Sequence, residues 1–250
     1  MNDRQKRILE LLNHKGRISV TKLAQKTSVS EVTIRNDLTF LENQGYLKRV
    51  HGSAITLDSD NVNDRMLLNF PMKQALAQFA ASQVQAGDTV FIEGGSANAI
   101  LARELASQSS VTIITVSFYI ASLLKDAQCE VVLLGGLLQK KSESVVGPLT
   151  RACIQQIHFN KAFVGIDGFH PESGFTGRDM MRTEIINAVL SKGAQNIVIS
   201  DSSKFGQIHL YGLEPQSAIS RLITDDALPN EYERYLSDMN ITVDKVMTRH

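Results

Sequence analysis

From Thr89 onward the sequence alternates between two kinds of segment, and this alternation limits the fold more than any other feature. Short apolar, β-branched runs occupy 89–92, 111–116, 130–134, 161–166, 196–200, 221–224 and 241–246, most of them separated by helical stretches at 98–106, 118–125, 149–157, 178–191 and 231–237. Such alternation predicts a mainly parallel sheet with helices on both faces. Five polar or glycine-rich clusters fall where a strand would end: Glu93-Gly94-Gly95-Ser96, Ser117, Gly135-Gly136, Asp167-Gly168 and Asp201-Ser202-Ser203-Lys204. The carboxyl ends of parallel strands share one edge, and ligands bind in the crevice there. Convergence of five such loops predicts a ligand site on that edge.

Each loop has a chemical and a structural reading. In E-G-G-S-A-N-A the glycines let backbone approach closely, while amides and the Ser96 hydroxyl suit an anion at a helix N-terminus; the same residues also make a turn and N-cap. The segment is neither a Walker A loop nor a G-x-G-x-x-G loop. Gly135-Gly136 reads as a tight strand-to-loop turn. Lys204, beside Ser202, Ser203 and Gly206, offers a point charge to a phosphate or is a solvated loop lysine. Glu93 and Asp167 suit sugar hydroxyls, or cap helices.

The first sixty residues are organised differently. Ile8, Leu9, Leu11 and Leu12 recur at helical spacing, predicting a helix over 3–14 that Gly16 stops. A short helix over 20–26, a turn at Ser28-Val29 and a third helix over 31–43 capped by Ser30 make a helix-turn-helix. At about 100° per residue, Ile34, Leu38 and Leu41 fall on one stripe, the face for the core. The opposite arc carries Val32, Thr33, Arg35, Asn36 and Thr39, residue types that suit the major groove, with Ser30 at its start. Y-L-K-R-V-H-G-S-A-I-T-L then reads as a hairpin turning at His51-Gly52, with Lys48, Arg49 and His51 placed for the phosphate backbone. Asp37 sits at the edge of the core stripe, which favours a salt bridge within the unit over a base contact.

Composition agrees once it is divided. The 250 residues carry 26 Lys/Arg and 26 Asp/Glu, but residues 1–57 hold ten against five and the remainder sixteen against twenty-one. A basic module joined to an acidic body is expected, and phosphate neutralisation by the former favours DNA over a merely structural role. No apolar run reaches the roughly 18 residues needed to cross a bilayer, and the N-terminus lacks a signal-peptide core. Cys129 and Cys153 match no metal or redox spacing, so reduced thiols in a cytoplasmic protein are expected.

Arg4-x3-Ile8-x3-Leu12, followed after seventeen residues by S-E-V-T-I-R-N-D-L and then by L-E-N-Q-G-Y-L-K-R-V-H-G, resembles the signature of the DeoR family of bacterial transcriptional regulators. Ser53 departs from the second glycine common in the wing of that family. E-G-G-S, G-I-D-G, G-F-T-G and D-S-S-K-F resemble its ligand-edge motifs, with Glu93 where many members have Asp and Thr115-Val116 where they have T-N. The resemblance implies a C-terminal domain similar to ribose-5-phosphate isomerase that binds a phosphorylated sugar or related metabolite. Carried over by residue, the effector contacts are Glu93, Gly94, Gly95, Ser96, Asp167, Gly168, Thr176, Arg178, Asp201, Ser203 and Lys204.

A sugar-phosphate isomerase with an accessory DNA-binding unit is the rival reading. Such enzymes carry a D-G-A-D-E cluster and a K-G-G-G loop, whereas this chain has I-D-G-F-H and no lysine-glycine run, so no catalytic residue, metal or cofactor is expected. A purely structural dimerisation platform is a third reading, which the concentration of polar loops on one edge disfavours. The expected organisation is a winged helix-turn-helix over 1–57, a polar linker over 58–70 and an α/β effector-binding and oligomerisation domain over 71–250. The helical stretch from Pro71 to Gly87 is suited to covering the sheet or to self-association. The expected partners are operator DNA, a small anionic effector and further copies of the chain, as a dimer or tetramer, with no membrane. The expected function is that of a regulator, most simply a repressor.

Overall fold

The computed structural model describes residues 2–43, 46–55, 66 and 69–248. Two compact units divide the chain, Met1–Phe70 and Pro71–His250. Gly45, the hairpin end at Thr56-Leu57 and most of the linker lie outside the described residues.

In the first unit, α1 (Asp3–Lys15) opens with a capping box: the Asn2 side chain accepts from Gln5 N and the Gln5 side chain from Asn2 N, both at 2.9 Å. Two of the helix's orphan amides are thereby satisfied. Gly16, at φ +68°, ends it by donating to Leu12 O. There follow β1 (Arg17–Ser19), α2 (Val20–Thr27) with Ser19 as its cap, α3 (Glu31–Asn43), β2 (Lys48–Val50) and β3 (Ser53–Ile55). Ile34, Leu38 and Leu41 are fully buried with Ile8, Leu12, Leu23 and Leu47, so the core stripe of α3 is the expected one. The wing has a third strand: β3 lies between β2 and β1, antiparallel to both. Three residues with one buried side chain, Ile18, carry no alternation, and β1 was therefore not expected.

The second unit contains α4 (Phe70–Ser82), β4 (Thr89–Ile92), α5 (Ser96–Leu105), β5 (Thr112–Thr115), α6 (Phe118–Leu123) and β6 (Glu130–Leu133). After β7 (Leu137–Gln139) and β8 (Ser144–Val146) come α7 (Pro148–Gln156), β9 (Lys161–Val164), β10 (Gly168–His170), β11 (Gly174–Gly177), α8 (Met180–Leu190) and β12 (Gln195–Ile199). The chain closes with β13 (Tyr211–Gly212), β14 (Ile219–Asp225), α9 (Asn230–Asp238) and β15 (Thr242–Val246). Seven strands form one sheet in the order β15-β14-β12-β9-β4-β5-β6, with every pairing parallel. Its centre is buried on both faces, from Val90–Ile92 through Ala162–Val164 to Ile197–Ile199, as helices on both sides require.

The strand order reverses between β4 and β9, because β5 and β6 extend one way and β12, β14 and β15 the other. At the strands' amino ends this junction is tied by Asp88. Its carboxylate accepts from Lys161 Nζ at 2.6 Å, from Gln85 N at 2.8 Å and from Asn160 Nδ2. At the carboxyl ends two small antiparallel additions stand where only loops were expected: the hairpin β7–β8 and the sheet β10–β11–β13. Two helix starts also shift. Ser96 rather than Asn98 begins α5, and α8 begins at Met180 because Asp179 takes the N-cap, accepting from Arg182 N at 2.8 Å; Arg178 is left in the loop before it.

Candidate functional site

On α3 the side chain separating core from surface is Asp37. Its Oδ2 accepts from Arg4 Nε at 2.5 Å, and its Oδ1 from Arg4 Nη2 at 3.2 Å and Gln5 Nε2 at 3.1 Å. The acid is thus turned inward and held within the unit, as its place on the stripe implied.

The outer arc lies open. Val32, Arg35, Asn36 and Thr39 are exposed, as is the cap Ser30, while Thr33 is half-buried with its hydroxyl 2.9 Å from Ser30 Oγ. Arg35 Nη2 rests on Glu31 Oε2 at 2.7 Å; both side chains are exposed, so the pair is worth little and leaves the guanidinium available to a stronger acceptor. Lys48, Arg49 and His51 are exposed on β2 and the following turn. Arg49 also ties the wing to α3, donating from Nη1 to Thr39 Oγ1 at 2.6 Å and from its amide to Glu42 Oε1 at 2.7 Å. The roles of Arg4, Gln5, Glu31 and Glu42 in fixing this face were not anticipated from the sequence.

The carboxyl-end edge of the larger unit's sheet centres on Glu93, at the end of β4 where the strand order reverses. Glu93 is 3% exposed. Its Oε1 accepts from Arg182 Nη2 at 2.8 Å, and its Oε2 from Gly165 N at 3.3 Å. Arg182 projects from the first turn of α8 and was not singled out in the sequence. Its Nε is buried and has no acceptor among the described residues. Burial would pull the guanidinium down, but Glu93, Asp167 and Asp179 outweigh it and raise the group above its ordinary value. Glu93 and Arg182 border a narrow cleft that Val116, Ile185 and Ser144–Val146 of the hairpin also line, with an empty volume of about 180 Å³ that includes open solvent.

The other predicted contacts divide by what they touch. Gly94 lies against Ser117 and Ser144, so that a β-carbon there would come 2.6 Å from Ser144 Oγ. Gly95 caps α5 without a side-chain bond, and Ser96 is buried in its first turn. Asp167 Oδ2 accepts from Arg178 N at 2.9 Å, while its carbonyl lies 3.1 Å from His209 Nε2. Thr176, 2% exposed, accepts from His209 N at 3.1 Å. Gly168 packs beneath Gln207, whose carbonyl oxygen a β-carbon would approach to 2.5 Å. Arg178 is exposed, 3.4 Å from His209 Nε2. Asp201 accepts from Ser203 N at 3.0 Å and from its hydroxyl, forming a 3-10 turn, Ser202–Lys204, at the end of β12.

The hairpin has a second, outward side. Leu137 and Leu138 are exposed on β7, as are Phe118, Leu149 and Met180 in the first turns of α6, α7 and α8. Neighbouring residues link these segments: Phe118 N donates to Glu143 O at 2.7 Å, Thr150 Oγ1 to Gly135 O at 2.8 Å, and Gln139 Nε2 to Asp179 Oδ1 at 3.1 Å. Among the described residues no helix is long and apolar enough to cross a membrane, and no cluster of His, Cys, Asp or Glu is arranged to hold a metal ion. Cys129 and Cys153 are free thiols.

A winged helix-turn-helix followed by a parallel α/β domain with a crevice at its strand ends defines the class of two-part, DNA-binding transcriptional regulators. Residues 4–60 match the DeoR-like helix-turn-helix domain, and residues 68–226 the DeoR C terminal sensor domain. The chain belongs to the DeoR family of transcriptional regulators, and its relatives there are regulators rather than enzymes. It is 33% identical over 246 residues to the HTH-type transcriptional regulator GolR of Listeria innocua, covering 96% of this chain and 97% of that one. It is 30% identical over 239 residues to the lactose phosphotransferase system repressor of Streptococcus mutans, covering 89% and 91%. Among solved structures it is similar to ribose 5-phosphate isomerase A from Methanocaldococcus jannaschii, with a TM-score of 0.40 and 20% identity over 55% of each chain.

Proposed function

We propose that the chain is a cytoplasmic repressor that reads an operator through α3 and releases or grips it according to a phosphorylated sugar or related metabolite bound in the larger unit. Val32, Thr33, Arg35, Asn36 and Thr39 face the base edges, Ser30 and the wing residues Lys48, Arg49 and His51 face the phosphates, and Asp37 is kept out of the groove by Arg4. The repressor named among the relatives supports the sign of regulation. DNA readers of this kind dock symmetrically on paired half-sites, so the working unit is a homo-oligomer, dimer or tetramer. The apolar cluster around β7–β8 supports self-association, and the linker 58–70 joins a head at 1–57 to the body at 71–250.

The observation that carries the ligand reading is the shared edge. The loops holding Glu93–Ser96, Asp167-Gly168 and Asp201–Lys204 follow three strands that are consecutive in the sheet, at the reversal of strand order. Thr176 and Arg178 border the same edge from β11 and the loop after it. Lys204, Arg178 and the start of α5 supply positive potential for a phosphate, and the carboxylates suit hydroxyls. Ligand then alters repression only by preferring one arrangement of the heads.

The test is a thermal-shift screen of the full chain against phosphorylated sugars, followed by titration of a selected DNA duplex with and without the hit. A hit that changes DNA affinity, and whose effect Lys204→Ala weakens without changing ligand-free DNA binding, supports the reading. Binding without any change in DNA affinity refutes it.

A further inference from the structure

Arg182 is one of five described side chains of the body with a buried polar atom that has no hydrogen-bond partner. A guanidinium offers five N–H donors in a fixed fork, and buried donors are nearly always satisfied. Here Nη2 is committed to Glu93 Oε1 at 2.8 Å and reaches toward Gly94 O at 3.4 Å, while Nε, buried at the same cleft, has no acceptor among the described residues. One half of a matched pair of donors is spent on the protein and the other is left over.

Charge decides what the remaining donor takes. Glu93, Asp167 and Asp179 all act on this one guanidinium, so its positive charge is already outnumbered. The walls Val116, Val145, Val146 and Ile185 are apolar, which strengthens repulsion between an entering anion and those carboxylates. A neutral oxygen meets no such penalty. It satisfies Nε, and if it is a hydroxyl its own hydrogen can be given to Glu93.

We propose that Arg182 and Glu93 form the specificity pair for the uncharged, hydroxyl- or carbonyl-bearing end of the ligand, whose anionic end lies away from them on the Arg178 and Lys204 side of the edge. The inference rests on the ligand-binding reading above and adds the orientation of the ligand and the residue that selects it. Entry widens the cleft, and its wall beside Ser144–Val146 is a two-stranded hairpin outside the main sheet, held to the end of β5 by Val145 N donating to Val116 O at 2.7 Å and Phe118 N to Glu143 O at 2.7 Å.

The experiment uses the full chain, with glucose 6-phosphate, fructose 6-phosphate and ribose 5-phosphate, their deoxy analogues, and inorganic phosphate as probes in calorimetric titrations. In the unaltered protein the preferred sugar phosphate is expected to bind at least tenfold more tightly than inorganic phosphate, and one deoxy analogue to lose about tenfold, the size of one well-made hydrogen bond. Arg182→Lys, which keeps the charge but removes the fork, is expected to bring the sugar phosphate within about twofold of inorganic phosphate while leaving inorganic phosphate unchanged. Parallel loss of both ligands would place the anion on Arg182 and overturn the proposal. An undiminished preference in Arg182→Lys would do the same, as would indifference of the unaltered protein to every deoxy analogue, a comparison that needs no variant to fold. Failure of all the sugar phosphates to bind the unaltered protein would instead remove the ligand reading itself, and this inference with it.

Discussion

Asp37 on the recognition helix and Arg4 on the first helix, 33 residues apart in the chain, are joined by two hydrogen bonds of 2.5 and 3.2 Å. The acid is buried, whereas the Arg4 side chain is 36% exposed and can return to water when its partner is removed. Asp37→Ala is therefore expected to destabilise the head, by less than the loss of one partner from a fully buried ion pair would. Amide hydrogen exchange of α1 and α3 in the full chain measures this. A changed base preference with unchanged protection would place Asp37 in the groove.

The outer arc of α3 and the wing are expected to respond differently to substitution. Arg35→Ala and Asn36→Ala should each cost about 1–3 kcal/mol on the selected duplex and relax preference at one base pair, whereas Lys48→Ala should weaken all duplexes alike and reduce the salt slope by about one. Because Arg35 is held by an exposed acid, Glu31→Gln should tighten binding slightly at low salt. Equal loss on every duplex for Arg35→Ala would move that residue from bases to backbone.

Asp88 gives a pH-dependent prediction. Burial pushes its carboxyl up, but hydrogen bonds from Gln85 N, Lys161 and Asn160, with the Lys161 charge, outweigh this and hold it below the ordinary carboxylate range. A depressed folded-state value contributes stability above the unfolded-state value, near 3.9, and loses it as pH falls through the folded-state value. Asp88→Asn is expected to be about 1–3 kcal/mol less stable at pH 7, and the gap should close below about pH 4. Urea unfolding of both proteins across that range checks the sign; a gap that widens on acidification would be wrong for this geometry.

Gly168 separates packing from ligand contact. A β-carbon there would meet Gln207 O at 2.5 Å and His209 Cδ2 at 3.0 Å, and the nearer atom is backbone. Gly168→Ala should cost about 1–3 kcal/mol of stability with no ligand present, read as a lowered Tm. An unchanged Tm with lost ligand binding would make Gly168 a ligand contact rather than a packing residue.

The parts of the molecule legible in the sequence are those whose physics is periodic. The α3 core stripe of Ile34, Leu38 and Leu41 and the seven strand runs follow from 3.6- and 2-residue repeats or from unbroken apolar blocks, and they recur in the folded chain with small shifts. Asp37 was legible because its angular position put it at the core boundary. What escaped was short or long-range. Neither β1 nor the hairpin β7–β8 is long enough to show a period, and the strands β10, β11 and β13 bring together residues as distant as Gly168 and Tyr211. Arg182 was invisible for the second reason: inside its helix it is the first of three consecutive polar residues, Arg182-Thr183-Glu184, with nothing local to distinguish it, and only the reversal of strand order places it against Glu93, 89 residues earlier.

The seven parallel strands separate two tasks in space. The amino ends hold Asp88, Asn160 and Lys161, bound to one another and to the start of the sheet, while the carboxyl ends hold the cleft and its loops. Replacing loops at one rim leaves the fastening at the other untouched. Chains that share about three residues in ten can thus keep a common scaffold while the loops at the other rim diverge, so that variety among them is an exchange of loops rather than a new fold.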